Sequence, residues 1–204
     1  FETAPELSEA VNLMLNDLEM VELKPNEIKR FIGRGAENLI KQSLEVSLKK
    51  DPIPSFAKAE KLFAHHYSLI SANSLMYEGV EKSIIDLKAK NFLLGCVTNK
   101  PAIYTEALMN HSRLSDFMDI IVSGDTTKKK KPDPLPILHA LNQLNIEPKD
   151  AIMVGDSVID IEAGFAAGTY IFTVPYGYQF GESIISDKVD YAMTNFNELT
   201  RIIN

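Results

Sequence analysis

Two aspartates four residues apart, Asp156 and Asp160, stand where the apolar run AIMVG (151–155) ends. The run is short and apolar throughout, as expected of a parallel strand covered on both faces. The next segment reads as a helix: Val158, Ile161 and Phe165 recur at helical spacing, and Gly168 offers a C-terminal stop. Asp156 is thus expected at the strand's carboxyl end and Asp160 in the first helical turn, both facing the crevice where open α/β sheets bind ligands. Two such anions repel each other unless a cation or a hydrogen-bond network holds them. Hard oxygen ligands point to magnesium, which keeps several waters and takes one or two carboxylates. The same spacing also serves an ordinary helix start, with Asp156 or Ser157 as the cap and Asp160 favoured by the helix dipole.

Three more groups fall in loops where chemistry is expected. Thr98 and Asn99 follow the run FLLGCV (92–97) and precede Pro101, so a hydroxyl and an amide sit at a helix start that can seat a phosphate oxygen. Helix capping by Asn99 is the alternative. Lys131 ends a run of four lysines and is followed by Pro132-Asp133-Pro134; the proline biases it toward an extended course that could carry its ammonium to a phosphate or to the aspartate pair. At least two of the four lysines are expected to be solvated only. Gly33-Arg34-Gly35 form a tight loop in which Arg34 could reach an anionic carboxylate or phosphate, or simply turn the chain between helices. His65, His66, His111 and His139 have no metal-ligand spacing, and the sequence has neither a nucleophilic triad nor a glycine-rich nucleotide loop.

These residues must be positioned by two textures of chain. Residues 1–75 are helical in pattern, with stripes Leu7/Val11/Leu15/Leu18, Leu39/Ile40/Leu44/Leu48 and Phe56/Leu62/Phe63/Ile70, broken at EMVELKPNE, FIGRG and KKDPIPS. From 76 to 204, strands at 92–98, 119–124, 151–155, 169–174 and about 189–193 alternate with helices at 78–89, 101–111, 136–145, 158–167 and the C-terminus. That alternation indicates a parallel sheet with crossover connections. Pro101 and Pro136 suit first helical turns.

Composition narrows the function. The 204 residues carry 21 Lys+Arg against 28 Asp+Glu, a formal charge of -7, which argues against nucleic acid or an anionic membrane as the main partner and favours a small ligand. The single cysteine, Cys96, lies in an apolar run, reads as inert core and fits a reducing, cytoplasmic setting. No run approaches the ~18 apolar residues of a membrane span, and FETAPELSEA lacks the pattern of a signal peptide.

In this order, VTNK (97–100), KKPDP (130–134) and VGDSVID (154–160) resemble the second, third and fourth motifs of the haloacid dehalogenase superfamily of phosphatases. FIGRGAENLI (31–40) is similar to the cap loop of its phosphoglycolate phosphatase group, and PYGYQFGE (175–182) to the stretch after that group's fifth motif strand. The resemblance covers nearly the whole chain. It implies an α/β fold: a Rossmann-like parallel-sheet core, 76–204, with a helical cap, 1–75, inserted after a first strand that is missing here. The family's nucleophile segment, Asp-x-Asp-Gly-Thr, does not occur, and FETAPEL resembles what normally follows it, so the attacking aspartate is expected upstream of Phe1. Glu78, where the group often has proline, and Arg34 between the cap glycines are smaller departures.

By this resemblance Thr98, Asn99 and Lys131 bind the transferring phosphoryl, Asp156 ligates Mg2+, Asp160 orients the lysine or metal waters, and Gly33, Arg34 and Gly35 set specificity. The cap is expected to close over the site, exclude water and read the leaving group. The implied activity is magnesium-dependent hydrolysis of a small phosphorylated metabolite, 2-phosphoglycolate first. A non-catalytic binding module, a phosphosugar mutase and a pyrophosphatase are the alternatives, and the oligomeric state is open.

Overall fold

A computed structural model describes residues 1–47, 55–177 and 187–203. Leu48, most of the KKDPIPS break and the end of PYGYQFGE lie outside the described residues. The chain divides into two compact units, Phe1–Leu75 and Met76–Asn204.

The first unit is helical: α1 (Ala4–Asp17), α2 (Pro25–Ile28), α3 (Ala36–Ser47) and α4 (Phe56–Ile70). Its core is Val11, Met14 and Leu15 of α1, Ile28, Leu39, Ile40 and Leu44, and Ala59, Phe63 and Tyr67 of α4. The third stripe is therefore corrected. Phe56, Leu62 and Ile70 are only half-buried, while Ala59, Phe63 and Tyr67 point inward, with the rings of Phe63 and Tyr67 stacked at 5.4 Å. Phe63, Tyr67 and Ala59 are spaced by four, which keeps them on one face of the helix. The Ser55 hydroxyl accepts from the Lys58 N–H and caps α4. Asn12 bonds both ways to the backbone of Leu23, tying the α1–α2 loop to α1.

The second unit alternates: α5 (Val80–Ala89), β1 (Gly95–Val97), α6 (Ala102–His111), β2 (Ile120–Val122), α7 (Leu135–Leu144), β3 (Ile152–Gly155), α8 (Val158–Ala167), β4 (Tyr170–Thr173), β5 (Tyr191–Ala192) and α9 (Leu199–Ile202). All strand pairs are parallel, in two half-sheets, β1-β2 and β3-β4-β5. Observed strands are shorter than the apolar runs because only the ladder-bonded centre counts as strand; the runs continue as packed, irregular chain.

Residues of β3 feed two cores. Ile152 and Val154 pack on the cluster of Leu87, Phe172, Val174, Met193 and Leu199. Met153 packs on Ile137, Leu141, Ala163 and Ala167 of α7 and α8. Burial on both faces explains why AIMVG shows no polar alternation. The α8 stripe needs correction: Phe165 is 57% exposed, and the buried face is Ile159, Ile161, Ala163, Gly164 and Ala167. Small residues let α8 lie close on the sheet, which leaves no room for a phenyl ring there. Pro101 also differs: it immediately precedes α6 rather than entering its first turn, whereas Pro136 does sit in the first turn of α7.

Among the described residues β1 and β3 each have one edge without a partner strand. Leu94 C=O and Thr98 N–H both bond toward β2, so the intervening odd residues, Val97 among them, address the opposite edge of β1. Ala151 and Gly155 accept from Tyr170 and Val174, so Ile152 and Val154 address the opposite edge of β3. Ile152, Met153 and Val154 are only half-buried.

Candidate active site

One side chain bridges the end of β1 and the helix that follows β3. Lys131 Nζ donates to the Val97 carbonyl, on the open edge of β1, and pairs with Asp160 Oδ1 at 2.7 Å, in the first turn of α8. Both side chains are almost fully buried, 9% and 10% exposed. A buried ammonium left without a partner would be costly, and this pairing meets that cost with a charge-assisted bond.

The lysine is held from its own backbone as well. Asn99 Nδ2 donates to the Lys131 carbonyl at 2.8 Å, and Lys131 N–H donates to Asn99 Oδ1 at 2.9 Å. This reciprocal pair ties the Lys131 backbone to Asn99. It also removes the capping alternative for Asn99. The Ala102 N–H of α6 is taken by Asp125 Oδ1 at 2.9 Å. Asp125 carried no sequence signal, because it reaches α6 from a different loop. Of the other lysines, Lys128, Lys129 and Lys130 are exposed, and Lys129 pairs with Asp133 at 2.7 Å.

Asp160 has both carboxylate oxygens engaged. Its second oxygen, Oδ2, accepts from Ser157 Oγ at 2.8 Å and from Asp156 N–H at 3.2 Å. Burial pushes its carboxyl up, but the Lys131 ammonium and the Ser157 and Asp156 donors outweigh that and hold it below the ordinary carboxylate value. Of the two aspartates Asp160 is the more buried, 7% exposed, while Asp156 beside it is half-buried. Ser157 is the residue that sequence reading undervalued. It precedes α8 as a cap should, yet its hydroxyl serves Asp160 instead of the helix.

Asp156 has no ion pair among the described residues. Burial, then the Asp160 charge, push its carboxyl up to about 6, with Lys131 opposing. A carboxylate so placed gains from a cation more than an exposed one does. Thr98, one residue beyond Val97, accepts from Lys100 N–H at 3.1 Å and keeps its hydroxyl hydrogen to donate. Cys96 is pushed up by burial, partly opposed by Lys131, and stays a thiol. Gly33, Arg34 and Gly35 belong to the first unit, in the loop before α3, with positive φ of 108° and 93° at the two glycines and Arg34 exposed.

Gly155 is required by close approach. A Cβ there would stand 2.3 Å from Asp160 Cβ and 3.0 Å from its Oδ2. Gly155→Ala is expected to cost about 1–3 kcal/mol by overpacking, read as a lower urea midpoint with unchanged m-value, and to displace Asp160 from Lys131. An unchanged midpoint would show that α8 yields there freely.

The motifs and this geometry agree with known proteins. The profile of the haloacid dehalogenase-like hydrolase family matches residues 1–174. A phosphoglycolate phosphatase from Nitrosospira multiformis is 39% identical over 204 residues, spanning 99% of this chain and 90% of that protein. One from Thiobacillus denitrificans is 34% identical over 203 residues, with 98% and 89% covered. The crystal structure of a predicted phosphoglycolate phosphatase from Haemophilus somnus superposes with a TM-score of 0.94 at 25% identity, covering 99% of this chain and 92% of that one. Among the described residues no helix is long and apolar enough to cross a membrane. With a family profile over most of its length and relatives matched nearly end to end, this chain belongs to the haloacid dehalogenase-like hydrolases, among their phosphoglycolate phosphatase-like phosphatases.

Proposed function

We propose that this phosphatase hydrolyses a small phosphate monoester, 2-phosphoglycolate first, by attack of an aspartate that precedes Phe1 in the intact protein. The observation that carries the reading is Lys131 Nζ, held between Val97 C=O at the carboxyl end of β1 and Asp160 in the first turn of α8. A fixed cation there neutralises charge that develops on equatorial phosphoryl oxygens, which is most of what phosphoryl transfer requires of a protein. The Thr98 hydroxyl donates to one such oxygen, and Asn99 acts through the Lys131 backbone. Open edges on β1 and β3 support a further strand between the half-sheets as the carrier of the nucleophile. Its carboxylate oxygen bonds to phosphorus as the ester P–O bond breaks and the alkoxide leaves to be protonated; water then cleaves the acyl phosphate.

Magnesium fits the residues present in part. Among the described residues no three acidic or metal-ligating side chains gather, but Mg2+ needs only one or two carboxylates and keeps several waters. Asp156 is the group to hold it, with the nucleophile aspartate as a second; when bound, the ion supplies charge neutralisation at the phosphoryl oxygens. Residues 1–75 are read as a helical cap domain and 76–204 as a Rossmann-like core, and Gly33, Arg34 and Gly35 are proposed to read the leaving group. The similarity to phosphoglycolate phosphatases supports that substrate.

The test is phosphate release by the intact protein from a panel of small phosphate esters and pyrophosphate. Turnover of 2-phosphoglycolate above the others, lost on chelation and restored by Mg2+, is the expected outcome. Preference for pyrophosphate, or isomerised sugar phosphate without free phosphate, would move the assignment to another activity of the family.

A further inference from the structure

The chain beyond β4 runs beside the chain beyond β3, since Thr173 is in register with Gly155 and Val174 N–H bonds to the Gly155 carbonyl at 3.1 Å. Pro175, Tyr176 and Gly177 therefore arrive next to Asp156. Gly177 has φ of +150°, and a Cβ built on it would lie 2.5 Å from both Cβ and Cγ of Asp156 and 2.6 Å from its Oδ2. The main chain of Gly177 thus rests directly on the Asp156 carboxylate. No other residue type leaves that space to Asp156.

Tyr176 anchors this contact. Its phenol oxygen accepts from the Phe196 N–H at 2.9 Å, its ring lies 4.4 Å from that of Tyr77, and its body packs on the cluster of Leu87, Phe172, Val174, Met193 and Leu199. It is therefore held by a hydrogen bond, an aromatic contact and a hydrophobic core, all within the second unit. An aromatic contact of this geometry adds to the hydrogen bond and the core packing in fixing the residue beside it.

We propose that Tyr176 and Gly177 are positioning residues for the cation site: an anchored backstop that fixes the Asp156 carboxylate in the orientation a divalent ion requires. The idea rests on the reading of Asp156 as the cation ligand. Partners that orient a metal-binding carboxylate typically contribute about 10–100-fold to metal affinity. None of the sequence motifs that carried the family resemblance assigns these two residues a task.

The experiment is Mn2+ binding to the intact protein, followed by the electron paramagnetic resonance signal of the free ion, with Mg2+ affinity taken by displacement. Mn2+ is the probe because it shares the preference of Mg2+ for carboxylate and water oxygens. Gly177→Ala is expected to raise the Mn2+ Kd by about 10–100-fold, and Tyr176→Phe, which subtracts a single oxygen, to raise it by a smaller factor. Binding is scored per folded molecule from parallel circular dichroism, which a purely structural defect would leave at the wild-type Kd. If Gly177→Ala does not fold, Tyr176→Phe carries the test alone. Wild-type affinity in the folded variants, with binding abolished in Asp156→Asn, overturns the backstop and leaves the cation reading standing. Wild-type affinity in Asp156→Asn overturns both.

Discussion

Replacing Lys131 by methionine is expected to lower phosphate release by about 10²–10³-fold, as loss of one preorganised charge donor does elsewhere. The same change should destabilise the protein at neutral pH by about 3–5 kcal/mol, because it leaves Asp160 charged, buried and without its ammonium. The two losses are separable. In the wild type Asp160 is held below the ordinary carboxylate value of 3.8, so its contribution is full above that value and is lost as pH falls through the folded one. In Lys131→Met that lowering cause is gone, and the variant's deficit should shrink as acid protonates Asp160. Adding Asp160→Asn to Lys131→Met removes the orphaned charge and should recover much of the stability but none of the turnover. Urea unfolding across pH together with phosphate release decides it. A double variant as unstable as the single one would mean that lost packing of the lysine stem dominates.

Asp156→Asn is expected to separate stability and function in opposite directions. Burial and the Asp160 charge raise its carboxyl from 3.8 to about 6, so between those values the folded state holds more protons than the unfolded chain. Stability then falls as pH rises through that window, and at neutral pH the charged Asp156 costs about 3 kcal/mol, from roughly two units at 1.36 kcal/mol each. In the absence of divalent cations Asp156→Asn should therefore unfold at higher urea than wild type at neutral pH, with the difference vanishing below 3.8. Phosphate release should drop by at least about 10²-fold. Mg2+ should raise the wild-type melting temperature by mass action and leave the variant unmoved. An asparagine variant less stable than wild type at neutral pH would show that Asp156 accepts stabilising bonds that outweigh its burial.

Asp156 and Asp160 are shifted in opposite directions within one site. Asp160 has its counter-ion in Lys131, and among the described residues Asp156 forms no ion pair. Substituting either therefore reports on a different half of the arrangement.

Much of this was legible in the chain. The run AIMVG had to be a doubly covered strand, because Ile152 and Val154 serve one core and Met153 the other, and no polar alternation survives such burial. Gly168 ends α8 with φ of +81°, as its position after the last helical turn implied. The order of VTNK, KKPDP and VGDSVID was enough to indicate the family, since local sequence carries backbone pattern and residue type. What local sequence does not carry is the partner of each polar atom. Asn99 looked like a cap or a phosphate ligand, yet its amide faces the Lys131 backbone 32 residues away. Asp125 caps α6 from a distance of 23 residues. Asp156 and Asp160 have the same chemistry and nearly the same address, and only the fold gave one of them a lysine. Hydrogen bonds and ion pairs depend on atoms brought within about 3 Å, a condition set by tertiary packing and by no spacing along the chain.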